Sequence, residues 1–339
     1  MKIIVDAYGG DFAPAEVVKG AVAALEAKEG FKAVLVGKEE GIREALSACG
    51  YTGDRVEIVN ARDVIICEES PTEAIRKKPD SSICRALKVL KEDPEAAAFV
   101  SAGSTGAVLT GAVLLTKRIA GVSRPALAPL LPTVKGTSVM LLDCGANVDC
   151  KAINLVQFAL MGSAYMKEVV GVERPKVALL SNGTEEKKGC LLTHEVFPLL
   201  KERTDIDFVG NMEARDILSG EYDVVVTDGF YGNIALKSTE GAVNTLFTVL
   251  KREIKASKKA SIGALLMKGA FRNVKNLLDY NKRGGAVLLG MEKTVIKIHG
   301  ASKAEPVKNA ILQGVAEAES DLNETIRNAV ASGGAETAV

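Results

Sequence analysis

Four polar loops of this chain carry side chains able to grip an anion or move a proton, and each is built around glycine. In "AGSTGA" (102–107) a Gly-Ser-Thr-Gly turn enters an apolar helical pattern. The free backbone N–H groups and positive dipole end of such a turn favour an anion near Gly103, Ser104, Thr105 and Gly106. A plain strand-to-helix turn needs the same glycines for tight packing. "GTEEKKG" (183–189) offers Lys187 and Lys188 as point charges for a phosphate or a developing oxyanion. It also reads as a solvated charge run opening a helix, with Glu185 and Glu186 at its N-terminus. "DCGANVDC" (143–150) and "TDGFYGN" (227–233) each set Asp and Asn about glycine. Asn147 and Asn233 can donate hydrogen bonds, and Asp143 and Asp228 can orient a neighbour or accept a proton, although ordinary turn chemistry explains either loop alone.

His194 and His299 are the only histidines. His194, in "LLTHEVFPLL", falls in a helical pattern where packing or capping is expected. His299 ends the run "TVIKIHG" beside a glycine, a better place for a proton donor. The chain has no His-x-x-x-His, no carboxylates at metal spacing and no G-x-S-x-G, which disfavours metallohydrolase and common serine-hydrolase chemistry. Six cysteines lie scattered without Cys-x-x-Cys, suiting a reducing cytosol rather than zinc or a disulfide framework. Cys150, close to the polar loops, could in principle take an acyl group, but no histidine or lysine is visibly paired with it.

The elements that must position these loops repeat along the chain. "KIIVD", "AVLVG", "AFVS", "VMLLD", "KVALLS", "DVVVTD" and "TVIKI" are short apolar runs, each followed by a glycine-bearing polar loop and most separated by helical patterns such as "APAEVVKGAVAALEAK". Strands apolar on both faces, alternating with helices, predict an α/β fold with a mostly parallel, Rossmann-like sheet covered on each side. Ligands then collect beyond the carboxyl ends of the strands. The uncharged run Ala96–Thr116 is long enough to cross a membrane, but Ser101, Gly103, Ser104, Thr105, Gly106 and Gly111 divide it into strand, turn and helix. Its glycines lack the G-x-G-x-x-G spacing of a dinucleotide site.

The bulk numbers narrow the function classes. With 339 residues and 47% hydrophobic content the chain can bury a large core without staples. Forty-three basic residues balance forty-three acidic ones, aromatics are 4% and Trp is absent, which argues against a nucleic-acid partner. Met1-Lys2 is followed by three apolar residues before Asp6, so no signal peptide is expected and a cytoplasmic protein is. One local patch departs from neutrality: residues 242–280 hold eight basic residues against Glu253 and Asp279. Ile262, Leu265, Leu266, Ala270, Val274 and Leu277 recur there at helical spacing, giving a basic amphipathic hairpin that suits anionic lipid or an acidic protein. An ordinary helix pair docked on the body or on a second subunit fits the same pattern.

Together the motifs "DAYGGDFAP" (6–14), "SAGSTGA", "LAPLLPT", "LLDCGANVDC", "GTEEKKG", "VGNMEARD", "DGFYGNIALKSTEG", "GGAVLLG" and "IKIHGAS", in this order, resemble the bacterial phosphate acyltransferases of phospholipid synthesis, the PlsX family. The resemblance implies a three-layer α/β/α sandwich similar to the phosphotransacetylase and isocitrate dehydrogenase-like folds, in a single domain over 1–330. It further implies a projecting hairpin within 242–283 and a loose tail at 331–339. The implied reaction moves the acyl group of acyl–acyl carrier protein to inorganic phosphate, with no metal or organic cofactor. The resulting acyl phosphate feeds a membrane acyltransferase acting on glycerol 3-phosphate. A homodimer is implied, peripherally associated with the inner face of the cell membrane.

By that resemblance Gly9, Gly10, Gly103, Ser104, Thr105 and Gly106 are phosphate-proximal, and Lys188 neutralises phosphate or oxyanion. Asn211, Asn233 and His299 polarise the carbonyl or protonate the leaving thiolate, and Asp228 orients one of them. Lys258, Lys259, Leu265, Leu266, Lys268, Phe271 and Arg272 face membrane or carrier protein. Phe12 stands where the family usually has His, so no proton transfer falls on that position, and Ser104 replaces a usual Asn. The chemistry agrees with the residues, because phosphate is already an anionic nucleophile and needs positioning more than a strong base. Two other readings stay open: a phosphotransacetylase-like enzyme using acyl-coenzyme A, and a non-catalytic membrane-bound scaffold for lipid synthesis.

Overall fold

The apolar runs become strands buried on both faces. The computed structural model describes residues 1–278 and 280–334. Its strands are β1 (Lys2–Asp6), β2 (Lys32–Gly37), β3 (Val56–Asn60), β4 (Ala96–Ser101), β5 (Ala126–Ala128), β6 (Leu130–Pro132), β7 (Ser138–Leu142), β8 (Lys176–Ser181), β9 (Asp207–Glu213), β10 (Val224–Val226), β11 (Ala286–Leu289) and β12 (Thr294–Lys297). The helices are α1 (Ala15–Ala27), α2 (Glu39–Ala48), α3 (Pro71–Lys77), α4 (Ser82–Glu92), α5 (Thr105–Leu115), α6 (Ala152–Glu168), α7 (Leu191–Lys201), α8 (Gly229–Ala256), α9 (Lys258–Leu266), α10 (Lys268–Leu277), α11 (Ala304–Ala318) and α12 (Leu322–Gly334).

The sheet is divided in two. Seven strands run in the order β3-β2-β1-β4-β12-β11-β5 and five in the order β6-β7-β10-β8-β9. All neighbours are parallel except β11 with β12 and β5, and β6 with β7. Period-two alternation makes each sheet the middle of three layers. In the larger sheet Ile3 and Val5 face α1 and α11, while Ile4 and Phe99 face α4 and α5. In the smaller, Leu142, Leu179 and Val226 pack towards α6 and α7, while Leu141 and Val225 meet Ala235 and Leu236 of α8. Phe158 and Tyr165 of α6 share one cluster with Ala128 and Leu289 of the larger sheet and Met140 of the smaller, so one apolar core joins the two.

The run 96–116 is β4, a turn and α5, as its small polar residues predicted. Among the described residues no helix is long and apolar enough to cross a membrane. The first two turns of α8, which has 28 residues, hold all of its buried residues, Gly229, Gly232, Ala235 and Leu236, and farther along Val243 and Phe247 line a pocket with Leu131 and Leu218. At about 1.5 Å per residue that helix is about 42 Å long. Neither α9 nor α10 buries a single residue, and Leu265 and Leu266 are 69% and 84% exposed. At the C-terminus 331–334 continue α12 rather than forming a tail, and 335–339 lie outside the described residues.

Candidate active site

Three loops from the larger sheet converge because their glycines let backbones touch. At the end of β1 the buried Asp6 accepts a hydrogen bond from Ser101 Oγ at the end of β4 (2.7 Å), and Ser101 Oγ accepts the Gly103 N–H (2.9 Å). Burial pushes the Asp6 carboxyl up, against the hydroxyls of Ser82 and Ser101, which favour its charge. A methyl on Gly9 would lie 2.5 Å from Asp6 Oδ2 and 2.6 Å from Gly103 N. Gly10, at φ 96°, passes within a Cβ contact of 2.8 Å of the Gly300 carbonyl, and Asp11 N donates to that carbonyl at 2.8 Å. Gly106 receives Pro71 of α3, where a Cβ would stand 2.5 Å from the ring, and Ser104 Oγ caps α5 by accepting from Ala107 N. Of the expected backbone cradle, Gly103 gives its N–H to Ser101 and Gly9 its N–H to the Asp6 carbonyl, while Gly10 and Gly106 allow close approach of neighbouring segments. Thr105, alone of that set, lines the cleft beside these loops.

This cleft, of about 280 Å³, lies between the two sheets. Thr105, Lys297, His299 and Ser302 reach it from the larger sheet, and Asn233, Leu236 and Lys237 from α8. The Ala301 N–H donates to His299 Nδ1 (3.1 Å), which leaves the proton of the neutral ring on Nε2 as a donor. Lys297, only 9% exposed, donates to the Ile298 carbonyl, and burial lowers its ammonium to about 8. Leu130, Leu131 and Leu236 make the other wall apolar. An anion beside an apolar chain is the ligand such a cleft accommodates.

Lys188, Asn211 and Asp228 are elsewhere. Successive α8 residues turn by about 100°, so Asn233, Leu236 and Lys237 face the inter-sheet cleft while Asp228, Tyr231 and Ile234 line a second cleft of about 640 Å³ on the opposite flank. Asp228 Oδ1 caps α8, accepting from Phe230 N (3.0 Å) and Tyr231 N (2.9 Å), with burial raising its pKa. Asn211 is a loop anchor: its Nδ2 donates to the Glu185 carbonyl (2.9 Å), and its buried Oδ1 has no partner among the described residues. Lys188 is exposed and lies over Gly183, where a Cβ would be 2.8 Å from Lys188 Cγ. Its neighbour Gly189 lines the second cleft, together with the apolar Leu155, Leu180 and Leu192. The residues singled out in the sequence thus fall about two clefts, divided by the start of α8.

The remaining candidates resolve as structure. Asp143 is wholly buried and takes the N–H groups of Leu127, Ala146 and Asn147, latching the loop on which Gly229 of α8 rests. Burial, with Asp143 and Asp228 nearby, pushes the Cys150 thiol up to about 11. His194 is exposed in the first turn of α7. Among the described residues no group of three His, Cys, Asp or Glu side chains could hold a metal ion. Sequence reasoning passed over Lys297 and Ser302. The available signal was a lysine inside an apolar strand of a sheet covered on both sides, where lysine is rarely buried without a task.

The fold is an α/β fold similar to that of phosphotransacetylases. A phosphotransacetylase from Streptococcus pyogenes superimposes with a TM-score of 0.62 at 20% identity, covering 94% of each chain. A branched-chain phosphotransacylase from Enterococcus faecalis gives 0.58 at 14%, covering 94% of this chain and 99% of that one. At those identities the fold is what is shared. Sequence goes further: the family described as fatty acid synthesis protein matches residues 1–325. The phosphate acyltransferase of Dictyoglomus turgidum is 49% identical over 311 residues, 92% of each chain. That of Clostridium botulinum is 46% identical over 336 residues, 97% of this chain and 99% of its own. The chain belongs to this fatty acid synthesis protein family and is an acyltransferase of lipid biosynthesis, which bears out the resemblance its motifs carried and the α/β class expected.

Proposed function

We propose that the protein transfers the acyl group of acyl–acyl carrier protein to inorganic phosphate, giving acyl phosphate for phospholipid synthesis. The observation that carries this reading is the inter-sheet cleft, where Thr105, Asn233 and His299 meet beside the apolar wall of Leu130, Leu131 and Leu236. A phosphate oxygen adds to the thioester carbonyl carbon, and the tetrahedral oxyanion collapses with cleavage of the C–S bond. The proton of hydrogen phosphate ends on the sulfur of the released carrier protein, so no net base is consumed. Asn233 and the Nε2–H of His299 are the donors for the oxyanion and the departing thiolate. Asp228 caps the helix that carries Asn233, Asn211 anchors the 183–189 loop through the Glu185 carbonyl, and Lys188 lies exposed on that loop, where the carrier protein would dock.

The exposed hairpin supports the finer parts of the proposal. Lys258, Lys259, Lys268 and Arg272 present cations beside Leu265 and Leu266 with nothing packed on them in one protomer, and the half-buried Phe271 lies between. That surface suits an acidic carrier protein and the anionic inner face of a membrane, on which a dimer would deliver acyl phosphate to a glycerol-3-phosphate acyltransferase. The test is acyl phosphate formation by the full chain, trapped as hydroxamate, from thioesters of carrier protein and of coenzyme A. Turnover with the carrier thioester should fall about a hundredfold in Asn233→Ala and His299→Ala. Preference for the coenzyme A thioester would favour a phosphotransacetylase, and no product from either would leave a scaffold.

A further inference from the structure

One buried cation is unused by the roles assigned above. Lys297 ends β12 in register with Ser101 of β4 and is 9% exposed, on the wall of the inter-sheet cleft. An ammonium taken out of water needs an opposite charge or a full set of acceptors. The Ile298 carbonyl takes one of its three hydrogens, and among the described residues no carboxylate is within ion-pair distance. Asp6 and Asp11 act on it through space alone. Lys237, across the cleft on α8, is paired with Glu240 at 2.8 Å.

A second group on the same wall is unsatisfied. Ser302 is 6% exposed, and its buried Oγ has no hydrogen-bond partner among the described residues. Buried hydroxyls in native proteins find partners, so this one is waiting for a ligand or a water. Lys297 and Ser302 flank His299 on one segment, and all three line the same cleft. Two free ammonium hydrogens, a hydroxyl and the imidazole Nε2–H form a donor set for a tetrahedral oxyanion. Lys188, the lysine the motifs favoured, lines neither this cleft nor the other.

The geometry points to Lys297 and Ser302 as the seat of inorganic phosphate in the inter-sheet cleft, an assignment that rests on the acyl-transfer reading. The same phosphate chemistry occurs in the phosphodiester of the carrier protein's prosthetic arm, and kinetics separates the two sources. Full-length wild type, Lys297→Met and Ser302→Ala are compared by calorimetric titration with inorganic phosphate and by KM for phosphate and for acyl–acyl carrier protein, with thermal melting as the folding control. Lys297→Met should weaken phosphate binding and raise the phosphate KM by about tenfold to a hundredfold, and Ser302→Ala by about tenfold, while the thioester KM holds.

Wild-type phosphate affinity in both variants overturns the assignment, as does a rise confined to the thioester KM. Should Lys297→Met fail to fold, Ser302→Ala, which removes one oxygen, decides alone. Failure of the reaction itself is distinguishable. A wild-type protein that binds phosphate, loses it in Lys297→Met and makes no acyl phosphate keeps the seat and loses the acyl transfer.

Discussion

Ser101 Oγ donates to Asp6 Oδ2 at 2.7 Å, joining the carboxyl ends of β4 and β1 through a bond buried from solvent. Three segments of the larger sheet beside the inter-sheet cleft meet at this level. Gly103 is tied to Ser101, Gly9 lies against Asp6, and Lys297 stands in register beside Ser101. Polar groups buried here therefore shape a site as well as satisfying one another.

Gly9→Ala tests that arrangement. The added methyl would sit 2.5 Å from Asp6 Oδ2 and 2.6 Å from Gly103 N, inside contact distance of backbone and a fixed carboxylate. Relief requires the loops to part, at a cost of about 1–3 kcal/mol. Urea unfolding should show that loss, and turnover should fall with it. An alanine variant with unchanged midpoint and turnover would mean that the loops are not in contact as described.

Lys297 makes phosphate affinity depend on pH. Its ammonium titrates at about 8, lowered by burial and by Lys237 on α8, and supported by Cys67, by Asp6 of β1 and by Asp11 of the following loop, with His299 next on its own segment. Depression of a lysine means the charge is present below that value and lost above it. Between about pH 7.5 and about pH 9.5, where phosphate is already mostly the dianion, its affinity should weaken about tenfold. A flat calorimetric profile across that interval would remove the ammonium from the seat.

Much of this architecture was legible and part of the site was not. The runs "KIIVD" and "KVALLS" read as strands because they are apolar on both faces, and the glycine loops after them fall at the carboxyl ends as expected. Division into two sheets was hidden because strands of either sheet look alike locally. Insertion of β12 and β11 between β4 and β5 is a long-range choice with no local mark. Thr105, Asn233 and His299 do meet, but Lys188 and Asp228 fall on the far side of α8, whose placement depends on the Asp143 latch. A loop motif gives the residue's chemistry; the helix that stands between two loops is a tertiary fact.

Cys150 is expected to be dispensable. Its thiol is pushed up to about 11, first by burial and then by Asp143 and Asp228, so hardly any thiolate exists at neutral pH. Cys150→Ser should keep turnover within about twofold, because the nucleophile is phosphate rather than sulfur. Recovery of an acyl group on Cys150 after quenching with acyl–acyl carrier protein alone would reverse this.

Glu317 sets a pH dependence of stability rather than of chemistry. It lies buried on α11, where Oε1 accepts from Tyr165 (2.8 Å) and Gln313 (2.9 Å), and Gln313 Oε1 in turn accepts the N–H of Gly285 on the cleft wall (2.8 Å). Burial raises its carboxyl to about 7, against the hydrogen bonds from Tyr165, Gln313 and Thr294. A raised value means the folded state holds the proton more tightly, so this contribution is complete below the unfolded value of 4.5 and disappears as pH rises through about 7. The difference is about 3 kcal/mol. Glu317→Gln keeps an acceptor for Tyr165 and cannot ionise, so its urea midpoint should exceed that of wild type at about pH 8 and show less change between about pH 5 and about pH 8. Parallel profiles for the two proteins would place the proton elsewhere.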